Sequence, residues 1–295
     1  INGSAYRLLE KAQHLAQEKQ TDLALDTLQL LLKRYSSNAY IVSLSLRSAA
    51  YIFAENQAYP KATGLFERVL RLDSLSTHIL QDIRYLLAQL HFQQADYSSV
   101  VSLLEQWFSE ANPSATKNQD YYLLALSWYQ LENCSKALNT IESGLKVLAQ
   151  PEPELLKLKL NCLLLAEQYR PASDTISQLI SIDPDSDIYW SQWAYILDQL
   201  QDYRKALAAM EVMATRNLLS NSSLKLRYAR LLLQQGNPER SASALEGFIA
   251  DQHISNTSDT VRLLALAWQQ AGQTSKAITL LEANPEAIED DAGFQ

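Results

Sequence analysis

Residues 189–210 read YWSQWAYILDQLQDYRKALAAM, and this stretch decides the fold of the chain. Its apolar residues fall at helical spacing on both sides of a short polar turn, Gln201–Asp202–Tyr203. They are Trp190, Trp193, Ala194 and Leu197 before the turn, and Ala206, Leu207 and Met210 after it. The pattern predicts two amphipathic helices that pack against each other across the turn.

The small residue after the turn recurs along the chain at a nearly fixed period. The eight positions are Ala24, Ala62, Val100, Ala137, Ala172, Ala206, Ser241 and Ala277, separated by 38, 38, 37, 35, 34, 35 and 36 residues. A second small residue lies twelve residues before almost every one, at Ala12, Ala50, Ala88, Ala125, Ala194, Ala229 and Ala265, with Leu160 as the exception. Because two helices approach closely only where side chains are small, each pair of small residues marks a helix crossing.

Self-similarity at a fixed period is typical of repeat architectures. We predict an all-α fold, a right-handed α-solenoid of about eight helix-turn-helix repeats. The repeats occupy residues 1–283 and are centred near residues 24, 62, 100, 137, 172, 206, 241 and 277. An acidic tail that we expect to be mobile follows over residues 284–295.

Composition excludes several other classes of protein. The chain contains only 7 Gly and 8 Pro in 295 residues, which argues against folds that need many tight turns. Its net charge of −8 disfavours nucleic acid as a partner, and no run of 18 apolar residues predicts a membrane span. Cys134 and Cys162 form no CxxC pair; we interpret them as small buried residues and leave a disulfide between them open.

No pattern of catalytic or metal-ligating residues stands out in the sequence. GxSxG, a glycine-rich phosphate loop and HExxH are all missing. His14, His78, His91 and His253 are scattered, without a further ligand at metal-binding spacing on the same helix face. We therefore predict a protein that is not an enzyme and that has no cofactor and no metal site.

The repeat resembles the tetratricopeptide repeat, a helix-turn-helix unit of about 34 residues with small residues at two fixed positions. The resemblance extends from about Ser4 to Glu282, and the spacing in the first three repeats is longer by three or four residues. It implies that the first helix of each repeat lines a concave surface. Positions three before, one after and four after the small residue of that helix share one face, which predicts the partner-binding surface.

These positions supply the predicted binding residues. They are Arg47, Tyr51, Tyr85, Gln89, Phe92, Tyr122, Leu126, Tyr129, Lys157, Asn161, Tyr195, Arg230 and Arg262. Aromatic and cationic side chains dominate this set, and both types are enriched among residues that contribute most to binding energy. We predict that they bind a protein or peptide segment; the alternative is that the tyrosines only cover the groove wall.

One part of this surface is similar to the carboxylate clamp with which some tetratricopeptide domains hold the C-terminus of a peptide. Lys157 and Asn161 lie four apart, and Gln192 and Arg227 occupy comparable inner positions in the next two repeats. Gln192 stands where the clamp has Asn, and Ser223 stands where it has Lys. The match is therefore partial, and Arg227 joins the predicted binding residues.

Two longer stretches resemble the tetratricopeptide proteins that accompany TonB systems in marine and related Gram-negative bacteria. The first comprises residues 83–90, IRYLLAQL, and residues 102–108, SLLEQWF. The second runs from YWSQW at residues 189–193 through RNLL at residues 216–219 to QGNP at residues 235–238. This resemblance implies a periplasmic protein, made with a signal peptide, that assists TonB-dependent uptake by contacting TonB or an associated component.

Two alternative functions stay open on the sequence. One is an envelope or pilus assembly factor that acts by oligomerisation and large convex contacts. The other is a cytoplasmic chaperone-type adaptor that uses the clamp around Lys157. The sequence leaves the partner, the compartment and the oligomeric state open between them.

Overall fold

The computed structural model describes residues 3–73, 75–112, 116–148, 150 and 152–289, and all regular structure within these ranges is helical. Helices form consecutive packed pairs, which confirms the predicted all-α fold of helix-turn-helix repeats. The first four pairs are α1 (Gly3–Gln17) with α2 (Thr21–Arg34), α3 (Ala39–Glu55) with α4 (Tyr59–Leu70), α5 (Thr77–Gln93) with α6 (Tyr97–Glu110), and α7 (Asn118–Gln130) with α8 (Cys134–Val147). The other helices are α9 (Pro153–Leu165), α10 (Tyr169–Ile182), α11 (Asp187–Gln199), α12 (Tyr203–Thr215), α13 (Ser222–Gln234), α14 (Pro238–Ala250), α15 (Ser258–Gln270), α16 (Thr274–Glu282) and α17 (Glu286–Glu289).

The chain divides into two compact units, Ile1–Leu158 and Lys159–Gln295. In unit 1, α2 packs on α3, α4 on α5 and α6 on α7, so each pair contacts the next. In unit 2, α10 packs on α11, α12 on α13 and α14 on α15 in the same way. The single array over residues 1–283 stays a prediction.

The recurring small residues lie where the helices of a pair meet. All eight positions of the second helices are buried, and so are their eight counterparts twelve residues earlier. In the seventh pair the two positions touch directly, because the Ser241 hydroxyl donates a hydrogen bond of 2.8 Å to the Ala229 carbonyl oxygen. A small side chain lets the two helices approach closely here, which explains why alanine recurs at most of these positions.

The turn inside each pair contains one residue with a left-handed backbone, always five residues before the small residue of the second helix. These residues are Lys19, Gln57, Ala95, Glu132, Glu167, Gln201, Gly236 and Gly272, with φ between 53° and 75°. The next residue donates its N–H to a carbonyl five residues earlier, as Asp96 does to His91 at 3.0 Å. This is the Schellman arrangement that ends a helix and reverses the chain.

The left-handed residue at Ala95 leads to a stability prediction. Its φ of 57° costs free energy for a residue with a Cβ, and glycine removes that cost. We expect Ala95→Gly to raise the free energy of unfolding by about 1 kcal/mol, measured by urea denaturation. Gly236→Ala, at φ 73°, is the reverse change and should lower it by about the same amount. Equal stability of both variants and the wild type would contradict this account of the turn.

The segment that follows α16 begins with the short helix α17. Ala287 of α17 is buried, and its carbonyl oxygen accepts a hydrogen bond of 2.7 Å from Arg262 Nε on α15. The rest of the predicted acidic tail, residues 290–295, lies outside the described residues. Across the described ranges, none of the helices combines the length and the apolar character that crossing a membrane requires.

Candidate functional site

A groove in unit 1 runs across the first helices of the second, third and fourth pairs. It consists of two adjoining cavities of about 490 Å³ and 460 Å³, which share Tyr51, Leu86, Gln89 and Gln119 as lining residues. Helices α3, α5 and α7 form its floor, and α4 and α6 each add one aromatic side chain. We call these two cavities the aromatic groove.

The structure brings most of the predicted unit 1 residues together in the aromatic groove. Seven of them line it: Arg47, Tyr51, Tyr85, Gln89, Phe92, Tyr122 and Leu126. Tyr129 instead packs against the buried cluster around Ala125 and Ile141. Lys157 lies exposed on α9, with its ammonium 3.6 Å from the Glu154 carboxylate. Whether the seven residues bind a partner stays a prediction.

Two aromatic side chains of the groove come from second helices. The prediction from positions three before, one after and four after the small residue of the first helix therefore misses them. Phe66 lies four residues after Ala62 on α4, and its ring meets the Tyr51 ring edge-on at a centroid distance of 5.6 Å. Trp107 on α6 contacts the Tyr85 ring at 5.3 Å and the Phe108 ring at 5.0 Å. Such aromatic pairs hold the ring faces in place before any ligand arrives.

The two cavities differ in polarity. The first is walled mainly by apolar side chains such as Leu90, Leu123 and Leu126. The second contains charged residues of both signs, with Arg47 and Lys117 beside Asp82 and Asp120. A ligand that spans both would therefore place apolar groups at one end and polar or charged groups at the other.

The half-buried Tyr85 side chain lies beside the buried Asp120 carboxylate at the polar end of the groove. Burial, followed by a hydrogen bond to the Asp120 carboxylate and the negative charge of that group, raises the pKa of Tyr85 well above its ordinary value. The Tyr85 hydroxyl therefore stays protonated and donates to Asp120. The same carboxylate accepts a hydrogen bond of 2.8 Å from the Lys117 backbone N–H, which holds it in the first turn of α7.

Three amide side chains in the first cavity are available to a ligand. Gln89, Gln93 and Gln119 line it, and within the described part of the chain their side chains make no hydrogen bond. An amide offers two donor hydrogens and an acceptor oxygen, the complement of a peptide backbone. Amides beside fixed aromatic rings suit recognition of a polypeptide segment.

In unit 2 the predicted residues are more dispersed. Arg230 and Arg262 line a cavity of about 640 Å³ beside α15, α16 and α17. Asn161 on α9 and Tyr195 on α11 are exposed outside it. Leu266 and Gln269 also line this cavity. They occupy the positions one and four after Ala265, so the same positional rule could have included them in the predicted binding residues.

Arg227 is engaged inside the fold. Its guanidinium donates to the Ala194 carbonyl oxygen on α11 and forms an ion pair with Asp198. Burial raises the pKa of Asp198, and the opposing effect of Arg227 only partly offsets it. In the clamp interpretation, the Arg227 guanidinium would bind the carboxylate of a ligand. In the structure this guanidinium already pairs with the carboxylate of Asp198.

Groups suited to metal or redox chemistry do not converge in the described ranges. No three His, Cys, Asp or Glu side chains there lie close enough together to hold a metal ion. Cys134 and Cys162 are both thiols, and Cys162 is buried as expected, whereas Cys134 is half-buried.

Comparison with known proteins places the fold. A family model described as the anaphase-promoting complex, cyclosome, subunit 3, matches residues 55–144, and no curated protein matches the chain. A tetratricopeptide repeat protein from Parabacteroides merdae is 18% identical, with 90% of this chain and 98% of that one covered and a TM-score of 0.52.

Two further solved structures are similar. The first is the C-terminal part of a tetratricopeptide repeat-containing protein from Cytophaga hutchinsonii, which is 13% identical. The match covers 92% of this chain and 99% of that one, with a TM-score of 0.54. The second is YrrB, described as a tetratricopeptide protein with an unusual peptide-binding site, which is 13% identical. The match covers 67% of this chain and 94% of that one, with a TM-score of 0.51. At these identities the likeness shows the fold alone.

Proposed function

We propose that this chain, whose helix pairs have the tetratricopeptide-repeat fold, binds an extended segment of a partner protein in the aromatic groove of unit 1. The convergence of Tyr51, Tyr85, Phe92 and Tyr122 on one concave surface is the observation that supports this most directly. Fixed aromatic faces favour apolar side chains of the segment, and the glutamine amides suit its backbone. The fold supports a role as an interaction scaffold and not as an enzyme.

One of the similar solved structures is in line with a peptide as the ligand class. YrrB is described as having a peptide-binding site, and the two folds match over two thirds of the length of this chain. The groove also offers charge at one end, through Arg47 and Lys117, whereas the other end is apolar. This polarity would set the direction in which a segment lies.

A photo-crosslinking experiment tests the groove. We expect a photoreactive phenylalanine analogue at Tyr51 to crosslink a discrete partner protein, identified by mass spectrometry, when the full chain is expressed in its natural host. Adding Tyr122→Ala should lower the crosslinking yield at least tenfold, because loss of a central aromatic contact costs about 2 kcal/mol of binding.

The chain offers a matched control on the same helix. Tyr40 on α3 is 48% exposed, close to the 42% of Tyr51, but does not line the groove. The photoreactive residue at Tyr40 should not capture the partner, and Tyr40→Ala should leave the yield at Tyr51 unchanged. Equal capture from both positions would rule out the groove as the binding site.

The partner proposed in more detail is TonB or an associated component, with the chain acting in the periplasm as an accessory of TonB-dependent transport. The resemblance of residues 83–90, 102–108 and 189–193 to such accessory proteins supports this part. The same crosslinking experiment decides it, since the captured protein is identified. A groove-dependent partner unrelated to TonB transport would overturn the TonB assignment and leave peptide binding standing.

A further inference from the structure

The aromatic rings of the groove recur from one helix pair to the next. In the second pair, the Tyr51 ring of α3 meets the Phe66 ring of α4 at a centroid distance of 5.6 Å. In the third pair, the Tyr85 ring of α5 meets the Trp107 ring of α6 at 5.3 Å. Tyr122 of α7 adds a ring from the fourth pair. A segment that crosses the floor of the groove therefore meets an aromatic surface at each successive first helix.

These aromatic surfaces are accessible to a ligand from outside the fold. Tyr51 is 42% exposed, and Tyr85, Trp107 and Tyr122 are half-buried residues that line the two cavities. Described helices of unit 1 continue on both sides of the groove, since α2 packs on α3 and α8 packs on α7. The opening of the groove is therefore a feature of these helix pairs and does not arise where the described residues stop.

The spacing of the floor helices matches the repeat of a polyproline-II helix. Helices that lie side by side pack about 8–10 Å apart. A polyproline-II segment has three residues per turn and advances about 9 Å in one turn. Every third residue of such a segment therefore faces the next first helix and its aromatic surface. A β-strand presents the same face again after about 7 Å, and an α-helix after about 5 Å, so neither keeps this register.

The groove also supplies hydrogen-bond donors beside its rings. The amide groups of Gln89, Gln93 and Gln119 are among them. Trp107 adds an indole N–H, which like these amides makes no hydrogen bond within the described residues. A polyproline-II segment has no internal hydrogen bonds, and proline has no N–H, so the backbone offers mainly carbonyl oxygens. Donors on the groove wall are the complement that such a backbone needs.

We infer that the aromatic groove binds a proline-rich segment of a partner protein in the polyproline-II conformation, with prolines three residues apart against successive aromatic surfaces. The inference rests on the proposed function, because it specifies the class of segment that the groove binds. A polyproline-II segment is stiff before it binds, so it loses little conformational entropy in an aromatic-lined groove. No two of the 8 prolines of this chain are three residues apart, so these 295 residues do not supply the segment.

A synthetic peptide of four Pro-Pro-Ala units, labelled with a dye, is the probe for this inference. It adopts the polyproline-II conformation and carries prolines three residues apart. The same peptide built from D-amino acids is the matched control, because it has the same composition and apolar surface but the opposite helical hand. We expect the L-peptide to bind the full chain saturably in fluorescence anisotropy, and the D-peptide not to bind.

Substitutions in the groove test the rings and the donors separately. Tyr51→Ala with Tyr122→Ala should weaken binding of the L-peptide by about tenfold or more, because two aromatic surfaces are lost. Gln119→Glu replaces an amide donor by a carboxylate of the same shape, which repels carbonyl oxygens, so it should weaken binding by about fivefold. Gln119 is exposed, so this variant should keep the circular dichroism and melting temperature of the wild type. Tyr40→Ala, outside the groove, should leave binding unchanged.

Three results would overturn the inference. The first is equal binding of the L-peptide and the D-peptide, or no binding of either. The second is wild-type affinity in the Tyr51→Ala, Tyr122→Ala variant, which would place the peptide elsewhere. The third is capture, from the photoreactive residue at Tyr51, of a partner segment without prolines three residues apart. That third result would leave the proposed function standing, whereas equal capture from Tyr51 and Tyr40 is the separate result that rules out the groove itself.

Discussion

Ala62→Leu should lower the free energy of unfolding by about 3 kcal/mol, as expected for overpacking of a tightly packed core. Ala62 is fully buried where α4 crosses α3, and Ala50, its counterpart on α3, is fully buried too. Three additional carbon atoms have no space there, so the helices must separate or neighbouring side chains must leave their preferred rotamers. Urea denaturation followed by circular dichroism measures the loss.

Serine at the same position is the matched control. The chain already has Ser241 at this position of the seventh pair, where its hydroxyl donates to the Ala229 carbonyl oxygen at 2.8 Å. In Ala62→Ser the corresponding acceptor is the Ala50 carbonyl oxygen, so the change should stay within about 1 kcal/mol. A leucine variant as stable as the serine variant would refute the view that close helix approach requires a small residue here.

Alanine in place of glycine should have opposite effects at two positions inside helices. A Cβ at Gly144 of α8 would lie 2.7 Å from Cγ of Tyr121, and Tyr121 is buried with its ring 4.9 Å from the Phe108 ring. Since neither ring can move freely, we expect Gly144→Ala to lower the free energy of unfolding by about 2 kcal/mol, even after the gain in helix propensity.

Gly64 of α4 provides the opposite case. A Cβ built there meets no other atom within 4 Å, so only the helix propensity and the unfolded-state entropy change. We expect Gly64→Ala to raise the free energy of unfolding by about 1 kcal/mol. Urea denaturation of both variants checks the pair, and a loss of stability at both positions would show that the account of Gly144 is incomplete.

Periodicity in the sequence predicted the scaffold and one face of the groove. Helical spacing and the recurring small residues located the helix pairs, with Leu160 as the exception to the twelve-residue offset, because both signals reflect local geometry repeated along the chain. The rule of positions three before and one and four after the small residue then found Tyr51, Tyr85 and Tyr122. Residues that share one face of a helix follow from spacing within that helix, so this face can be predicted without knowing which helices pack beside it.

Contacts between helices could not be predicted in this way. Phe66 and Trp107 reach the groove from second helices, and Arg227 pairs with Asp198 on another helix. A Cβ at residue 144 would meet the ring of Tyr121 on the neighbouring helix. Each of these depends on the angle and distance at which two helices pack, and side-chain spacing within one helix does not specify either. The sequence by itself therefore determined the repeat, its helices and the first-helix face that lines the groove. Only the tertiary structure decided which side chains are already engaged within the fold, like Arg227, and which, like Gln119, line the groove without a hydrogen bond in the described part of the chain.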